Sequence, residues 1–297
     1  MLFSGKAILA KFQYRYGVDS LDVMALRMVY SLPLFVSLAV IETRRAWRRS
    51  DSLSWRELTI VVILGLVGYY LSSLLDFWGL EYVPVSLERL LLFLNPTFVL
   101  LIGLLFFGRT VSGRQWLAML ISYLGVALVM IESLRVEGEH IALGSLLVLG
   151  AATSYAVYMS VSGELIARVG ARRLVAYAMC VSTLATLTHF ALRKDPGSLL
   201  ELPAAVHGLA VANAVFCTFM PVSLTMAAVA RVGSATTAQL SVVGPVSLVF
   251  LGYWLLGERI SWVQIVGTAV VLCGVMVLTR RSANHVPVGL GQGGGKR

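Results

Sequence analysis

The chain reads as an all-α polytopic membrane protein of ten transmembrane helices, arranged as two inverted five-helix repeats with the first helix shortened at its N-terminus. Three observations predict this. Of 297 residues 58% are apolar and 13% charged, and the mean hydropathy of +0.83 far exceeds what a water-soluble core requires. Apolar segments of about 20 residues, the length that crosses a bilayer core at about 1.5 Å per residue, recur along almost the whole chain. The sequence also repeats itself, with nine gap-free identities at a constant offset of 149 residues. They pair Val83 with Val232, Leu91 with Leu240, Pro96 with Pro245, Gly103 with Gly252, Gly108 with Gly257, Ser112 with Ser261, Gln115 with Gln264, Gly125 with Gly274 and Val126 with Val275. Such ordered register is the mark of a tandem duplication.

Taken in order, the chain opens on Met1 to Tyr16, apolar but too short to span and carrying Lys6 and Lys11. Lysines inside the apolar run are misplaced for a secretory signal. The stretch resembles the second half of a helix, which roughly ten residues upstream of Met1 would complete. Nine full spans follow at Leu21 to Ile41, Leu58 to Phe77, Pro84 to Phe107, Arg114 to Ile131, Leu143 to Ile166, Leu174 to Leu192, Ala204 to Val229, Gly233 to Leu256 and Ser261 to Thr279. The expected organisation is a first repeat over 1–131, a linker over 132–142, a second repeat over 143–279 and a disordered tail over 280–297.

The basic residues orient the chain. With the N-terminus in the cytoplasm, fifteen lysines and arginines fall inside, among them Arg44, Arg45, Arg48, Arg49, Arg168, Arg172 and Arg173. Five fall outside: Arg15, Arg135, Arg193, Lys194 and Arg259. This asymmetry places both termini in the cytoplasm of a bacterial inner membrane. The net charge of +9 accordingly reflects topology and contact with anionic lipid, and gives no support to nucleic-acid binding. Five spans separate the fourth helix from the ninth, and an odd number reverses direction. Inverted halves are the architecture of many secondary transporters.

Several motifs carry a family resemblance. Gly79, Leu80, Glu81, Tyr82, Val83 and Pro84, then Asn95 and Pro96, Gly108 to Ser112, and Leu124 to Val126 are one set; Pro245, Leu256 to Ser261, Gln264, Gly267 and Cys273 to Val275 are the second. Together they resemble the EamA family of the drug/metabolite transporter superfamily, over about Ser4 to Thr279. The resemblance implies ten helices in two five-helix repeats around a central cavity, and export. Two features depart from the pattern: the shortened first helix, and Arg109 where the second copy has Glu258.

Charges inside spans are the residues that need explaining, since each costs about 2.5 to 3.5 kcal/mol on insertion scales unless paired or hydrated. They are Lys6, Lys11, Arg27, Asp76, Glu88, Arg89 and Glu164. Glu164 is expected to pair with Arg168, four residues on, at the interface. Arg27 either snorkels or partners Asp76 or Glu88. Gly65, Gly68, Tyr69, Ser72 and Asp76 share a face of the third helix, as a close-packing stripe or as a cavity wall with Tyr69, Tyr70 and Asp76 lining a vestibule. On the fourth helix Glu88, Leu92 and Asn95 share one face and Arg89, Phe93 and Pro96 the next, so Glu88 and Arg89 are expected to seek partners on other helices. Pro96 removes the hydrogen bond to the Leu92 carbonyl, and Pro245 does the same to Ser241. Matched interruptions mark either the hinges of a binding site or two inherited kinks. Tyr155, Tyr158, Asn213 and Gln239 complete the expected lining, with Trp78, Cys217 and Thr218 beside them.

No enzyme signature emerges. His140, His189, His207 and His285 are scattered, Cys180, Cys217 and Cys273 all fall in spans, and no phosphate-binding glycine loop occurs, so no cofactor or metal is implied. Without an ATPase motif, movement must be driven by gradients. The expectation is a secondary transporter, monomer or homodimer, that exports small organic metabolites such as amino acids, with membrane lipids as its other partner. The alternatives are a lipid or amphiphile flippase on the same scaffold and a non-transporting receptor or assembly factor.

Overall fold

A computed structural model describes residues 5–108, 110–136, 140–228 and 261–279, together with Arg231, Trp254, Leu255 and Gly257. Gln239, Pro245, Arg109, Glu258, Arg259, the tail and most of the expected ninth span lie outside the described residues. Among the described residues every regular element is helical, and seven helices are long and apolar enough to cross a membrane.

The helices are α1 (Gly5–Tyr14), α2 (Ser20–Arg48), α3 (Trp55–Tyr82), α4 (Val85–Leu92), α5 (Asn95–Phe107), α6 (Gly113–Val136), α7 (Ile141–Val169), α8 (Ala171–Arg193), α9 (Ala204–Ala228) and α10 (Trp262–Thr279). Their starts are encoded locally. Asp19 and Asp22 form a reciprocal capping box at α2, and Ser54 and Glu57 form another at α3, each satisfying orphan amides of the first turn. α2 outlasts its apolar stretch, running past Ile41 to Arg48. Basic residues in a last turn complement the helix dipole and extend it beyond the hydrocarbon.

The fourth span is interrupted, but not as a bend at Pro96. The helix stops at Leu92, Phe93 and Leu94 form a turn, and α5 begins at Asn95. Pro96 thus sits in the first turn of a new helix, where its missing N–H was unpaired in any case. Two further irregularities were not expected. α3 is π-helical over Gly65–Leu71 and α9 over Asn213–Phe219; in the latter the Thr218 hydroxyl donates to the Asn213 carbonyl at 3.0 Å, five residues back.

The 149-residue register recurs in the structure. α3 and α9 begin at Trp55 and Ala204, α6 and α10 at Gly113 and Trp262, both pairs 149 residues apart. Gly108 and Gly257 both adopt positive φ, 60° and 70°, a conformation that glycine enters without the usual penalty. Ser112 and Gln115 cap α6 reciprocally, the Ser112 amide donating to Gln115 at 2.7 Å and the Gln115 amide to Ser112 at 3.3 Å. Ser261 and Gln264 cap α10 in the same way at 3.4 and 3.1 Å. Gly125 and Gly274 lie where α6 meets α10. A Cβ on Gly125 would fall 2.8 Å from the Gly267 carbonyl and 2.9 Å from the Val271 amide. A Cβ on Gly274 would fall 2.8 Å from both the Ala118 carbonyl and the Ser122 amide. Ala118 and Ser122 are the residues 149 positions before Gly267 and Val271, so the contact is reciprocal, and the order of contacts makes α6 and α10 antiparallel.

Elsewhere α3 packs on α7 and α2 on α8. Gly65 abuts Ala178 of α8, Gly68 abuts the Tyr158 ring, and Gly79 faces Gly144. Of the two readings of the small-residue stripe, close packing is what Gly65 and Gly68 do, in the manner of membrane helices that approach through small residues. Leu105, Phe106, Leu146, Leu184, Leu192 and Leu224 point outward, while Glu88, Asn213, Thr186 and Ser182 are buried. This inside-out distribution fits an integral membrane protein.

Candidate functional site

The charged residues of the first four spans converge. Asp76, in the last third of α3, is 2% exposed and is ion-paired through Oδ2 to the Lys6 ammonium of α1. Phe77 beside it carries two cations, with Lys6 Nζ 5.0 Å and the Arg27 guanidinium of α2 4.8 Å from its ring centroid. Such placement over a ring face stabilises a cation, the more so when it is desolvated. Tyr14 fixes α1 to the same segment by donating to the Phe77 carbonyl at 2.8 Å. Glu88, fully buried on α4, contacts Arg89 Nε at 3.3 Å, and the charges of Asp76 and Lys6 also act on it. Cys217 of α9 feels Lys6, Arg89 and Arg27 and lies against Gly5. Helices α1, α2, α3, α4 and α9 therefore share one polar centre.

That centre corrects one expectation and resolves another. Glu88 and Arg89 do contact each other, because the long arginine arm folds back through Nε although the two Cβ atoms diverge by a residue's turn. Arg27 does not snorkel to a surface; it is 5% exposed, over Phe77, within the field of Asp76. Several buried atoms here lack a hydrogen-bond partner: Asp76 Oδ1, both Glu88 oxygens, Arg27 Nε and Nη2, both Asn213 amide atoms and Gln13 Oε1. Unsatisfied polar atoms are rare in folded interiors, so these mark the part of the bundle that most needs explaining.

The aromatic candidates form a separate group. Tyr69 donates to the Tyr158 hydroxyl at 2.9 Å with ring centroids 4.7 Å apart, and Tyr155 stacks on Tyr158 at 5.7 Å. These rings lie in the apolar cluster of Val61, Leu174 and Val222. Asn95 donates from Nδ2 to the Ala152 carbonyl of α7 at 3.0 Å, tying the start of α5 to that helix. Tyr70 bonds His189 at 3.0 Å, Lys11 is half-buried near the end of α1, and Trp78 is 43% exposed. The Glu164 side chain lies outside the described residues; Arg168 pairs with Asp51 at 3.3 Å and Glu57 at 3.0 Å. Lys6 and Arg27, which the sequence marked only as charges within spans and not as lining residues, complete the centre.

At the N-terminal end of α2 Lys194, just beyond α8, binds Asp19 at 2.7 Å and Asp22 at 2.9 Å. The Ser20 amide donates to Glu81 at 2.6 Å nearby. Burial pushes the Asp19 carboxyl up, but hydrogen bonds from Lys194 and the Asp22 amide outweigh it and hold the group below the usual carboxylate range. Burial likewise pushes the Lys194 ammonium down, and its bonds to Asp19 and Asp22 outweigh that to raise it.

Residues 1–131 and 142–280 match the EamA-like transporter family. The chain belongs to that family. Among similar proteins, the uncharacterized transporter YcbK of Bacillus subtilis is 28% identical over 275 residues, 89% of this chain and 85% of that one. A probable terminal-alkyne amino-acid exporter of Streptantibioticus cattleyicolor is 29% identical over 281 residues, 90% and 88% of the two chains. Protein RarD of Salmonella typhimurium is 25% identical over 252 residues, covering 84% and 81%. A crystal structure with a TM-score of 0.60 and 17% identity covers 95% of this chain and 97% of its own, a likeness of fold. The EamA-family protein is thus a membrane transporter.

Proposed function

We propose that this transporter is a secondary carrier that exports small organic metabolites, amino acids or comparable amphipathic compounds, from the bacterial cytoplasm by alternating access. One observation carries the reading: the buried centre of Lys6, Arg27, Asp76, Glu88 and Arg89, with polar atoms left unpartnered inside a membrane bundle. Placing a charge there costs about 2.5 to 3.5 kcal/mol on insertion scales, and ion pairs in such a place seldom stabilise more than apolar packing would. Residues retained at that cost, in a family of transporters, suit a solute pathway. The cargo class is supported by the amino-acid exporter relative at 29% identity.

The scaffold we propose is ten helices in two inverted five-helix repeats, the first over 1–131 and the second over 143–279, joined by 132–142 and followed by a disordered tail over 280–297. The equal helix starts, matched caps and reciprocal Gly125 and Gly274 contacts support it, since self-complementary contacts are what a twofold axis produces. Both termini face the cytoplasm of the inner membrane in this reading. Pro96, just after the Phe93–Leu94 break, and Pro245 serve as hinges about which the half-bundles rock, opening the centre to one side and then the other. Lys11, Tyr69, Tyr70, Asn95, Tyr155, Tyr158, Asn213 and Gln239 line the path around Asp76, Glu88 and Arg89. The transporter acts as monomer or homodimer on a small solute, with lipid as its only other partner.

Flux from proteoliposomes across a panel of labelled amino acids tests the reading. At least one member should leave faster than from empty vesicles, and Glu88→Gln should cut that flux about tenfold with insertion intact. Unchanged flux in Glu88→Gln removes Glu88 from the site. Labelled lipid crossing with no solute flux would instead support a flippase.

A further inference from the structure

The charge centre is not balanced. Three cations, Lys6, Arg27 and Arg89, face two carboxylates, Asp76 and Glu88. Lys6 takes Asp76 and Arg89 contacts Glu88, which leaves Arg27 with the field of an already engaged Asp76 and no hydrogen bond to Nε or Nη2. The Phe77 ring covers one face of the guanidinium at 4.8 Å. That contact uses the face of the fork and leaves its in-plane donors available, the edge that receives a carboxylate in two parallel hydrogen bonds.

α2 packs against the π-helical stretch of α9 that carries Asn213 and Cys217, both buried and four residues apart. Cys217 lies against Gly5, beside Lys6, and feels the Arg27 charge, so Asn213 lies about one turn from the centre. Its side chain is fully buried and neither amide atom has a partner. A buried amide without hydrogen bonds is destabilising, and a π-helical stretch inside an α-helix is a feature that recurs at functional sites.

Resting on the export reading above, we infer that Arg27 and Asn213 form the half of the site that recognises the substrate's carboxylate. The unengaged guanidinium edge receives the two oxygens and the Asn213 amide donates to one of them. A bound carboxylate would neutralise the surplus cation and satisfy the orphan donors together. Substrates without a free carboxylate, such as amides and simple amines, would leave both unsatisfied and be rejected, as sites built around a hydrogen-bonding group reject analogues that lack it.

Binding to purified full-length protein in detergent tests this without requiring transport. The probes are L-valine, L-leucine and L-phenylalanine, each beside its carboxamide, at about pH 6.5 where both members of a pair keep the ammonium. Affinity is read from ligand-dependent shifts of the unfolding temperature. The acid should bind about tenfold or more tighter than its amide for at least one pair. Arg27→Gln should bring that ratio to near one while Arg27→Lys keeps part of it. If Arg27→Gln does not fold, the isosteric Asn213→Asp decides: its own carboxylate beside the guanidinium should abolish the preference and raise the unfolding temperature. Equal binding of acids and amides, no binding of any acid, or a preference that survives Arg27→Gln or Asn213→Asp would overturn the half-site. Discriminating binding without flux in proteoliposomes would overturn the export reading alone.

Discussion

Asp76 is held between Lys6 and the field of Arg27 in an almost dry setting, so its loss should cost more than loss of the whole pair. Removing one partner of a buried ion pair typically costs about 3 to 5 kcal/mol because the other charge is stranded, whereas apolar replacement of both is often neutral. Thermal unfolding in detergent should therefore fall further for Asp76→Leu than for the combined Lys6→Met and Asp76→Leu variant. Equal destabilisation would show that the pair is not the element that matters. The Lys194 clamp differs because it is half-exposed, and it should contribute less than about 1 kcal/mol. Asp19, lowered on folding, contributes above its unfolded value of about 3.9 and loses that contribution as pH falls through its lower folded value. Lys194, raised on folding, contributes below about 10.4 and loses that contribution as pH rises through its higher folded value. The stability difference between the wild type and Lys194→Met should thus be flat between about pH 5 and 9 and shrink outside that window; a slope within it would contradict the assignment. At this scale the sequence showed which residues carried buried charge, because charge within apolar runs is visible at once. It could not show that Lys6 meets Asp76 across 70 positions, or that Arg89 folds back on Glu88.

Among the elements, the contact between α6 and α10 rests on glycines that admit no side chain. A Cβ on Gly267 would collide with Val129, and one on Gly125 with the Gly267 carbonyl and Val271. Gly125→Val and Gly267→Val should each lower stability by about 3 kcal/mol or more through overpacking and helix separation, seen as a drop in unfolding temperature. A stable Gly125→Val protein would remove the close approach from the account. The interruption at Phe93–Leu94 leads to the companion expectation: Pro96→Ala restores an amide and allows α4 and α5 to fuse into one helix. Flux should then fall while expression holds, and unchanged flux would make the break a passive feature. The spans were legible because hydrocarbon demands about 20 apolar residues whatever the neighbours, and the capping pairs Ser112 with Gln115 and Ser261 with Gln264 were visible as identities before their hydrogen bonds were. The π-helical stretches were not, because a one-residue widening of a helix leaves no periodic trace in a uniformly apolar sequence.

For the whole molecule, the sequence register is repeated while the charge is not: Glu88 and Arg89 correspond to Thr237 and Ala238. The register of 149 residues could be read from the chain, and the reciprocal Gly125 and Gly274 contacts give it a physical basis. Where the centre lies could be read only in part. Tyr69 shares a helical face with Asp76 yet packs with Tyr155 and Tyr158 into a different apolar cluster, since spacing fixes a face but not the neighbour it meets. Amino-acid efflux from proteoliposomes of defined lipid, comparing the wild type with Glu88→Gln, shows whether the one-sided charge centre carries the solute. Efflux of at least one amino acid should exceed that from empty vesicles and fall about tenfold in Glu88→Gln at equal incorporation. Efflux that Glu88→Gln leaves intact, or no solute efflux at all while labelled lipid crosses, would contradict it.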